Sequence, residues 1–310
     1  MFKLFSRKHL ERIKHVWGAG RVWGGSSIQH WLQHPLVQDR INLKVSGTPG
    51  VNRFEYFLNQ YLKSRLPVAR ALTLGSGVGE LERGLCQYNF ARAHEGIDIS
   101  DDAIRIAKEK ADEAGFSHVQ YRTGNLDAIT LEPQCYDVIF GISSIHHTEQ
   151  LEHLFGQIQR SLKSGGYFFM DEFIGPDRFQ WTDQQMQVMN EQLSLLPKHL
   201  RRLISDNRKF KERIVRRTYQ EMIASDPSEA IRSSEIIPLL RRYFTVLDIK
   251  GYGGTVIHDL LYDIAGNFTT ENPESIDHLK RLFEVEDELI SSGKLGHDFA
   301  VIIVTTKAQE

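Results

Sequence analysis

Two cysteines in 310 residues, Cys86 and Cys135, are too few for a disulfide framework. A reducing compartment fits them best, so a cytoplasmic location is expected. No apolar run reaches the roughly 18 residues that a membrane span needs. The basic start, Met1 to Lys8, lacks the apolar stretch of a secretory signal. Charge of neither sign prevails: 38 Lys and Arg stand against 40 Asp and Glu, a net charge of −2. No global field therefore points to nucleic acid or to a membrane surface. Internal repeats and low-complexity tracts are missing as well. What remains is an ordinary globular composition, 41% hydrophobic and 25% charged, long enough for one full α/β domain and a substantial addition.

What is present is a glycine turn. Ala71-Leu72-Thr73-Leu74-Gly75-Ser76-Gly77-Val78-Gly79-Glu80-Leu81 reads as a short buried strand, a turn and the first turn of a helix. Glycines there let the backbone take positive φ and let a ligand approach without meeting a Cβ. The N–H groups of the following helix favour an anionic group in the same crevice. The dinucleotide fingerprint is G-x-G-x-x-G/A, but this chain has Glu80 at the sixth position, which counts against a nicotinamide or flavin. The next strand ends His94-Glu95-Gly96-Ile97-Asp98-Ile99, and its Asp98 follows Gly79 by 19 residues. A carboxylate at that point can accept both hydroxyls of a nucleoside ribose.

These residues resemble the class I, Rossmann-like S-adenosylmethionine methyltransferases, whose pattern is E/D/L-x-G-x-G-x-G after strand 1 and an acid ending strand 2. The resemblance covers about 70–175 well and the flanks more loosely. It implies S-adenosylmethionine as cofactor, with Gly75, Ser76, Gly77 and Gly79 around its methionine end and Asp98 and Ile99 at the ribose. After strand 3, Asn125 and Leu126 would meet the adenine. Relatives usually carry an acid at the Asn125 position; an amide oxygen can still accept the adenine amino group, and Asp127 could substitute. The end of strand 4, Gly141-Ile142-Ser143-Ser144-Ile145-His146-His147, would bring Ile142 and Ser143 to the cofactor at the topological switch point.

Alternating strands and helices predict a parallel sheet covered on both faces. The expected fold is α/β: a seven-stranded, mostly parallel, doubly wound sheet. The resemblance implies an antiparallel last strand. Strands are expected at 70–74, 94–99, 119–122, 136–142, 167–170, 244–249 and 299–304. Ser100 is the expected N-cap of the helix after strand 2, and Gly165-Gly166 the stop of the helix before strand 5. The expected domains are an N-terminal helical extension or lid over 1–50, holding Trp17, Trp23 and Trp31, and a Rossmann-like core over 51–174. A mostly helical cap insertion follows at 175–240. Residues 241–310 return the last two strands with a helical insertion.

Candidate chemistry collects at strand ends. His146 and His147 are the expected acid–base residues, because imidazole titrates near neutrality. Beyond strand 5, Glu172, Arg178 and Trp181 are expected either at the acceptor site or in fixing the cap to the core. Their string Gly175-Pro176-Asp177-Arg178-Phe179-Gln180-Trp181 resembles a bacterial small-molecule branch of the same family, some members of which serve surface-glycan or secondary-metabolite pathways. Between Pro197 and Arg217 lie nine basic residues, which attract an anionic substrate or form a solvated face. No metal site is expected, since the His pair and His258-Asp259 lack further ligands at usable spacing.

The expected function is methyl transfer to an oxygen or nitrogen of a small molecule, anionic, sugar-linked or a secondary metabolite. A non-catalytic S-adenosylmethionine-binding regulator or partner protein is the alternative, and a nicotinamide oxidoreductase the third. Nucleic acid is not an expected partner: no Asn/Asp-Pro-Pro-Tyr follows strand 4. Monomer and homodimer both stay open.

Overall fold

The computed structural model describes residues 11–14 and 28–307. Trp17, Trp23 and the rest of 1–10 and 15–27 in the expected N-terminal extension lie outside those residues.

Seven strands form one sheet: β1 (Val68–Leu74), β2 (Ala91–Asp98), β3 (Val119–Thr123), β4 (Tyr136–Ile142), β5 (Leu162–Phe173), β6 (Phe244–Gly253) and β7 (Phe299–Thr306). Their order is β3-β2-β1-β4-β5-β7-β6. Strands β1 to β5 pair in parallel, and β7 is antiparallel to both neighbours. The chain reverses its winding between β1 and β4, which are adjacent, so their carboxyl ends flank the crevice where such sheets bind ligands.

Period-two alternation decides which side chain faces which layer. On β4, Val138 and Phe140 enter one core with Phe169, Phe173, Val301 and Ile303, whereas Ile139 enters the other with Phe168, Met170, Ile302 and Val304. Both faces are buried, so these strands read as continuous apolar runs. A one-residue slip would exchange the two layers.

The first face is covered by α1 (Pro35–Ser46), through Val37, Ile41 and Val45, and by α2 (Arg53–Phe57), through Phe57. Asn52 caps α2 in a capping box with Glu55. The second face is covered by α5 (Leu151–Ser161), whose Leu151, Leu154, Phe155 and Ile158 recur at helical spacing. Between them stand α3 (Glu80–Cys86) after the glycine turn and α4 (Asp101–Glu113) after β2. Ser100 caps α4, its Oγ accepting from the Ala103 N–H at 3.2 Å.

Two elements differ from the sequence expectation. β5 starts at Leu162, so the Gly165-Gly166 pair sits inside the strand and does not stop the preceding helix there. A bulge opposite Tyr136–Val138 accommodates it, with Gly165 at a φ of 68°. The segment between β5 and β6 contains α6 (Asp183–Leu195), α7 (Tyr219–Ser225) and α8 (Ile236–Tyr243), but its basic stretch is helical only as a 3-10 turn over Lys198–Arg201. There Arg202 and Phe210 form an antiparallel bridge. Lys198 and Arg202 lie over the Phe210 ring at 4.7 and 4.8 Å. Lys211 turns inward to the carbonyls of Asp259, Leu260 and Tyr262. After β6, α9 (Ile257–Leu261) and α10 (Pro273–Ser291) precede β7.

Glu82, fully buried on the first turn of α3, has its carboxyl pushed up to about 7 by burial. Below its ordinary 4.5 both folded and unfolded chains hold the proton; between 4.5 and about 7 only the folded chain does. Stability therefore falls as pH rises through that window. Glu82→Gln removes the ionisation, so urea unfolding at pH 8 should show a gain of about 2–3 kcal/mol over wild type. At pH 4 the two should coincide. A constant difference at both pH values would remove Glu82 as the cause.

Candidate active site

The turn after β1 is built from left-handed backbone: Gly75, Gly77 and Gly79 have φ of 73°, 52° and 76°. At Gly75 the chain passes so close to β4 that an added Cβ would sit 2.3 Å from Ser144 Cβ. At Gly77 the same construction meets nothing within 4 Å. Gly75 thus serves the approach of two strands, and Gly77 faces open space at the crevice. Ser76 Oγ is buried there without a hydrogen-bond partner among the described residues.

Asp98 ends β2 beside this turn. Its Oδ2 accepts from Gly77 N–H at 2.9 Å and its Oδ1 from Ser100 N–H at 2.8 Å. The carboxylate is fixed by backbone, and each oxygen retains acceptor capacity for a hydroxyl. Burial raises its pKa. After β3, Asn125 Oδ1 accepts from the Asp127 N–H at 3.0 Å, an Asx turn. Asp127 Oδ1 in turn accepts from the N–H groups of Glu149 and Gln150 at 2.9 and 2.8 Å, tying the loop to the start of α5. That engagement makes Asp127 a structural acid. Leu126 packs at the edge of the second core. At the end of β4, Ser143 takes a φ of 48° and donates its N–H to the Asp171 carbonyl at 2.9 Å. Gly75 through Gly79, Asp98, Ile99, Asn125, Leu126, Ile142 and Ser143 therefore all stand at the carboxyl ends of β1 to β4.

The acid that organises the far side of the crevice is Glu172, on β5 and fully buried. Its Oε1 accepts from the N–H groups of Ser144 and Ile145 at 2.5 and 2.6 Å. Its Oε2 pairs with His146 Nδ1 at 2.6 Å and accepts from Phe173 N–H at 3.1 Å. One carboxylate thus binds the whole turn that carries both histidines. His146 reaches Glu229 Oε1 through Nε2 at 3.3 Å. Burial opposes a charge on this ring, but Glu172 and Glu229 outweigh it and raise its pKa to about 10. The neighbouring His147, with ring centres 4.1 Å apart, goes the other way: burial and the charge of His146 lower its pKa. Two adjacent histidines thereby hold different protonation states at neutral pH.

Arg178 and Trp181 take packing positions. Arg178, at a φ of 55°, donates its N–H to the Ala230 carbonyl at 2.6 Å and its Nη1 to the Glu229 carbonyl at 3.0 Å. Trp181 is buried and stacked on Phe179 with ring centres 5.3 Å apart. Arg178 thereby holds the turn that presents Glu229, whereas Trp181 packs on Phe173 and Phe179. Within reach of Trp181 lies His258, which sequence reasoning set aside. Its ring is enclosed by Trp31, Phe179, Trp181 and Phe299 at 5.1–5.9 Å. Burial lowers its pKa to about 4, and its Nδ1 has no hydrogen-bond partner among the described residues. Glu229, Ser228 and Asp226 went unseen because they lie on an irregular stretch with no periodic signal.

Comparison with known proteins agrees with this geometry. A family model described as a methyltransferase domain matches residues 68–232. Sterol 24-C-methyltransferase of Candida albicans is 25% identical over 134 residues, 43% of this chain and 35% of that protein. Phosphoethanolamine N-methyltransferase 2 of Caenorhabditis elegans is 31% identical over 100 residues, 32% of this chain and 23% of that one. The matched part thus spans about a third or less of these relatives. Among solved structures, geranyl diphosphate C-methyltransferase of Streptomyces coelicolor A3(2), in complex with Mg2+, geranyl diphosphate and S-adenosyl-L-homocysteine, superposes with a TM-score of 0.56 at 12% identity, covering 96% of this chain and 98% of that one. Phosphoethanolamine N-methyltransferase 2 of Haemonchus contortus, with phosphomonomethylethanolamine and S-adenosylhomocysteine, gives 0.54 at 17%, covering 100% and 62%. These likenesses establish the fold. Among the described residues no helix is long and apolar enough to cross a membrane.

Proposed function

The chain belongs to the S-adenosylmethionine-dependent methyltransferases, and we propose that it moves the methyl group to an oxygen or nitrogen of a small-molecule acceptor held beneath the cap. The observation that carries this reading is the convergence of the glycine turn, Asp98 and the β4 end at the switch point of the sheet. The residues present fit the cofactor: Gly77 leaves open the space a Cβ would fill, and Ser76 Oγ offers a buried polar atom without a protein partner. When bound, the cofactor supplies a sulfonium methyl, already a strong electrophile.

The protein's task is then to align acceptor and methyl and to exclude water, which can contribute about 7–11 kcal/mol. Gly75, Ser76, Gly77 and Gly79 would hold the methionine end of the cofactor, Asp98 and Ile99 its ribose and Asn125 and Leu126 its adenine, while Ile142 and Ser143 at the end of β4 would touch it from the other side of the crevice. His147, which burial keeps neutral, takes the acceptor's proton. His146 stays protonated between Glu172 and Glu229 and presents a fixed positive edge. Glu172, Arg178 and Trp181 support the acceptor side indirectly: Glu172 holds the histidine turn, Arg178 the turn that carries Glu229, and Trp181 packs against Phe173 and Phe179.

Asp98→Ala leaves ribose hydroxyls unpaired and should weaken S-adenosylmethionine binding by about 1–3 kcal/mol, roughly 5- to 150-fold. Calorimetric titration with S-adenosylmethionine, its demethylated product and NAD measures this. Binding of NAD alone, or an Asp98→Ala affinity equal to wild type, would sink the assignment.

A further inference from the structure

His146 and His147 leave β4 on one short turn, whereas Glu229 arrives from the cap. The fold brings one ligand atom of each within 4.8 Å of the others. His146 Nε2 and Glu229 Oε1 are 3.3 Å apart. That is the edge of a tetrahedron with bonds of about 2.0–2.1 Å, the length of zinc–imidazole and zinc–carboxylate bonds.

The outer contacts point the same way. His146 is oriented through Nδ1 by the Glu172 carboxylate at 2.6 Å. His147 is oriented through Nδ1 by Ser228 Oγ at 3.1 Å, and that hydroxyl donates to Asp226 Oδ1 at 2.7 Å. Metal-binding histidines have this arrangement: the ring nitrogen away from the ion is held by a carboxylate, directly or through a relay, which sets tautomer and angle. A buried histidine satisfied only for structure needs no second histidine beside it and no shared carboxylate at its far edge.

We propose that His146, His147 and Glu229 form a site for one divalent ion of the zinc type. Two imidazole nitrogens and one carboxylate oxygen suit zinc, cobalt or nickel better than magnesium or calcium, which prefer an all-oxygen set. Three protein ligands leave a fourth position for water or an acceptor oxygen. Ion binding rests on these side chains alone; only its use in methyl transfer rests on the function proposed above. An ion held there would displace the Nε2 proton that His146 otherwise carries between its two carboxylates, and would take up the lone pair that His147 otherwise offers as a base. The sequence expectation of no metal site rested on spacing, and the third ligand comes from a part of the chain that spacing cannot connect.

The test is zinc binding by the full chain after chelator treatment, followed by calorimetry and elemental analysis, with cobalt absorption as a second readout. Wild type should take up one equivalent of zinc. His147→Asn and Glu229→Gln should each weaken it at least 100-fold and abolish the visible cobalt band. Of the thirteen histidines, the eleven outside the site could bind zinc loosely, so unchanged affinity in both variants overturns the proposal, as does less than one equivalent in wild type. Should those variants fail to fold, Ser228→Ala leaves all three ligands in place. A 10- to 100-fold weakening there supports the site, and wild-type affinity overturns it. Titrating S-adenosylmethionine in the same preparations separates failure of the ion site from failure of the cofactor assignment.

Discussion

Glu172→Ala should lower stability by about 3–5 kcal/mol, seen as a shift of the urea midpoint with an unchanged slope. The carboxylate is fully buried and receives four donors: the N–H groups of Ser144, Ile145 and Phe173, and His146 Nδ1. Alanine strands three buried backbone N–H groups and leaves the imidazolium of His146 with only Glu229 for a counter-charge. The same substitution should draw the His146 pKa down from about 10, because its strongest stabilising partner is gone. Histidine resonances followed by NMR against pH would show it. Glu172→Gln keeps the volume but turns an NH2 towards donors, so it should fall between wild type and alanine. An alanine variant within 1 kcal/mol of wild type would mean that the turn is held by something else.

Gly75→Ala and Gly77→Ala should part company. At Gly75 the new Cβ meets Ser144 Cβ at 2.3 Å, and Ser144 cannot retreat. Its N–H is bound by Glu172, and its Oγ donates to the Leu74 carbonyl at 2.7 Å. The clash forces β1 and β4 apart at their carboxyl ends, on top of the strain of a left-handed alanine. We expect a loss of about 3 kcal/mol in stability and, by calorimetry, at least a 100-fold loss of S-adenosylmethionine affinity. Gly77→Ala has only the left-handed strain, about 1–2 kcal/mol. Its methyl stands in the open space of the cradle, so affinity should fall by a similar factor while the fold stays nearly intact. Wild-type affinity in Gly77→Ala would remove this turn from the cofactor site.

The glycine turn, Asp98 and β4 were legible because each is local. A turn needs small residues in a row, an acid ends a strand, and β4 runs over Tyr136–Ile142 as its apolar pattern requires. Glu172 was legible as a residue of interest but not as the post for the histidine turn, since backbone N–H groups leave no mark in a sequence. Glu229 and Ser228 were invisible for a related reason: they lie on an irregular stretch where neither period 2 nor period 3.6 operates. The conformation of the basic run was not legible, because composition does not show which cation finds a partner within the chain. Lys198 and Arg202 lie over the Phe210 ring, and Lys211 turns inward to backbone carbonyls.

The antiparallel finish of the sheet bears on how such a protein diversifies. Gly253 and Phe299 face each other across β6 and β7, so the excursion carrying α9, α10 and His258 begins and ends at one place. A parallel connection must cross the sheet and so has a minimum length; an excursion that comes home does not. Lengthening it is cheap in closure entropy, about 0.6 kcal/mol per doubling. Insertions into that excursion therefore need not rethread the strands, provided its helices keep covering the core.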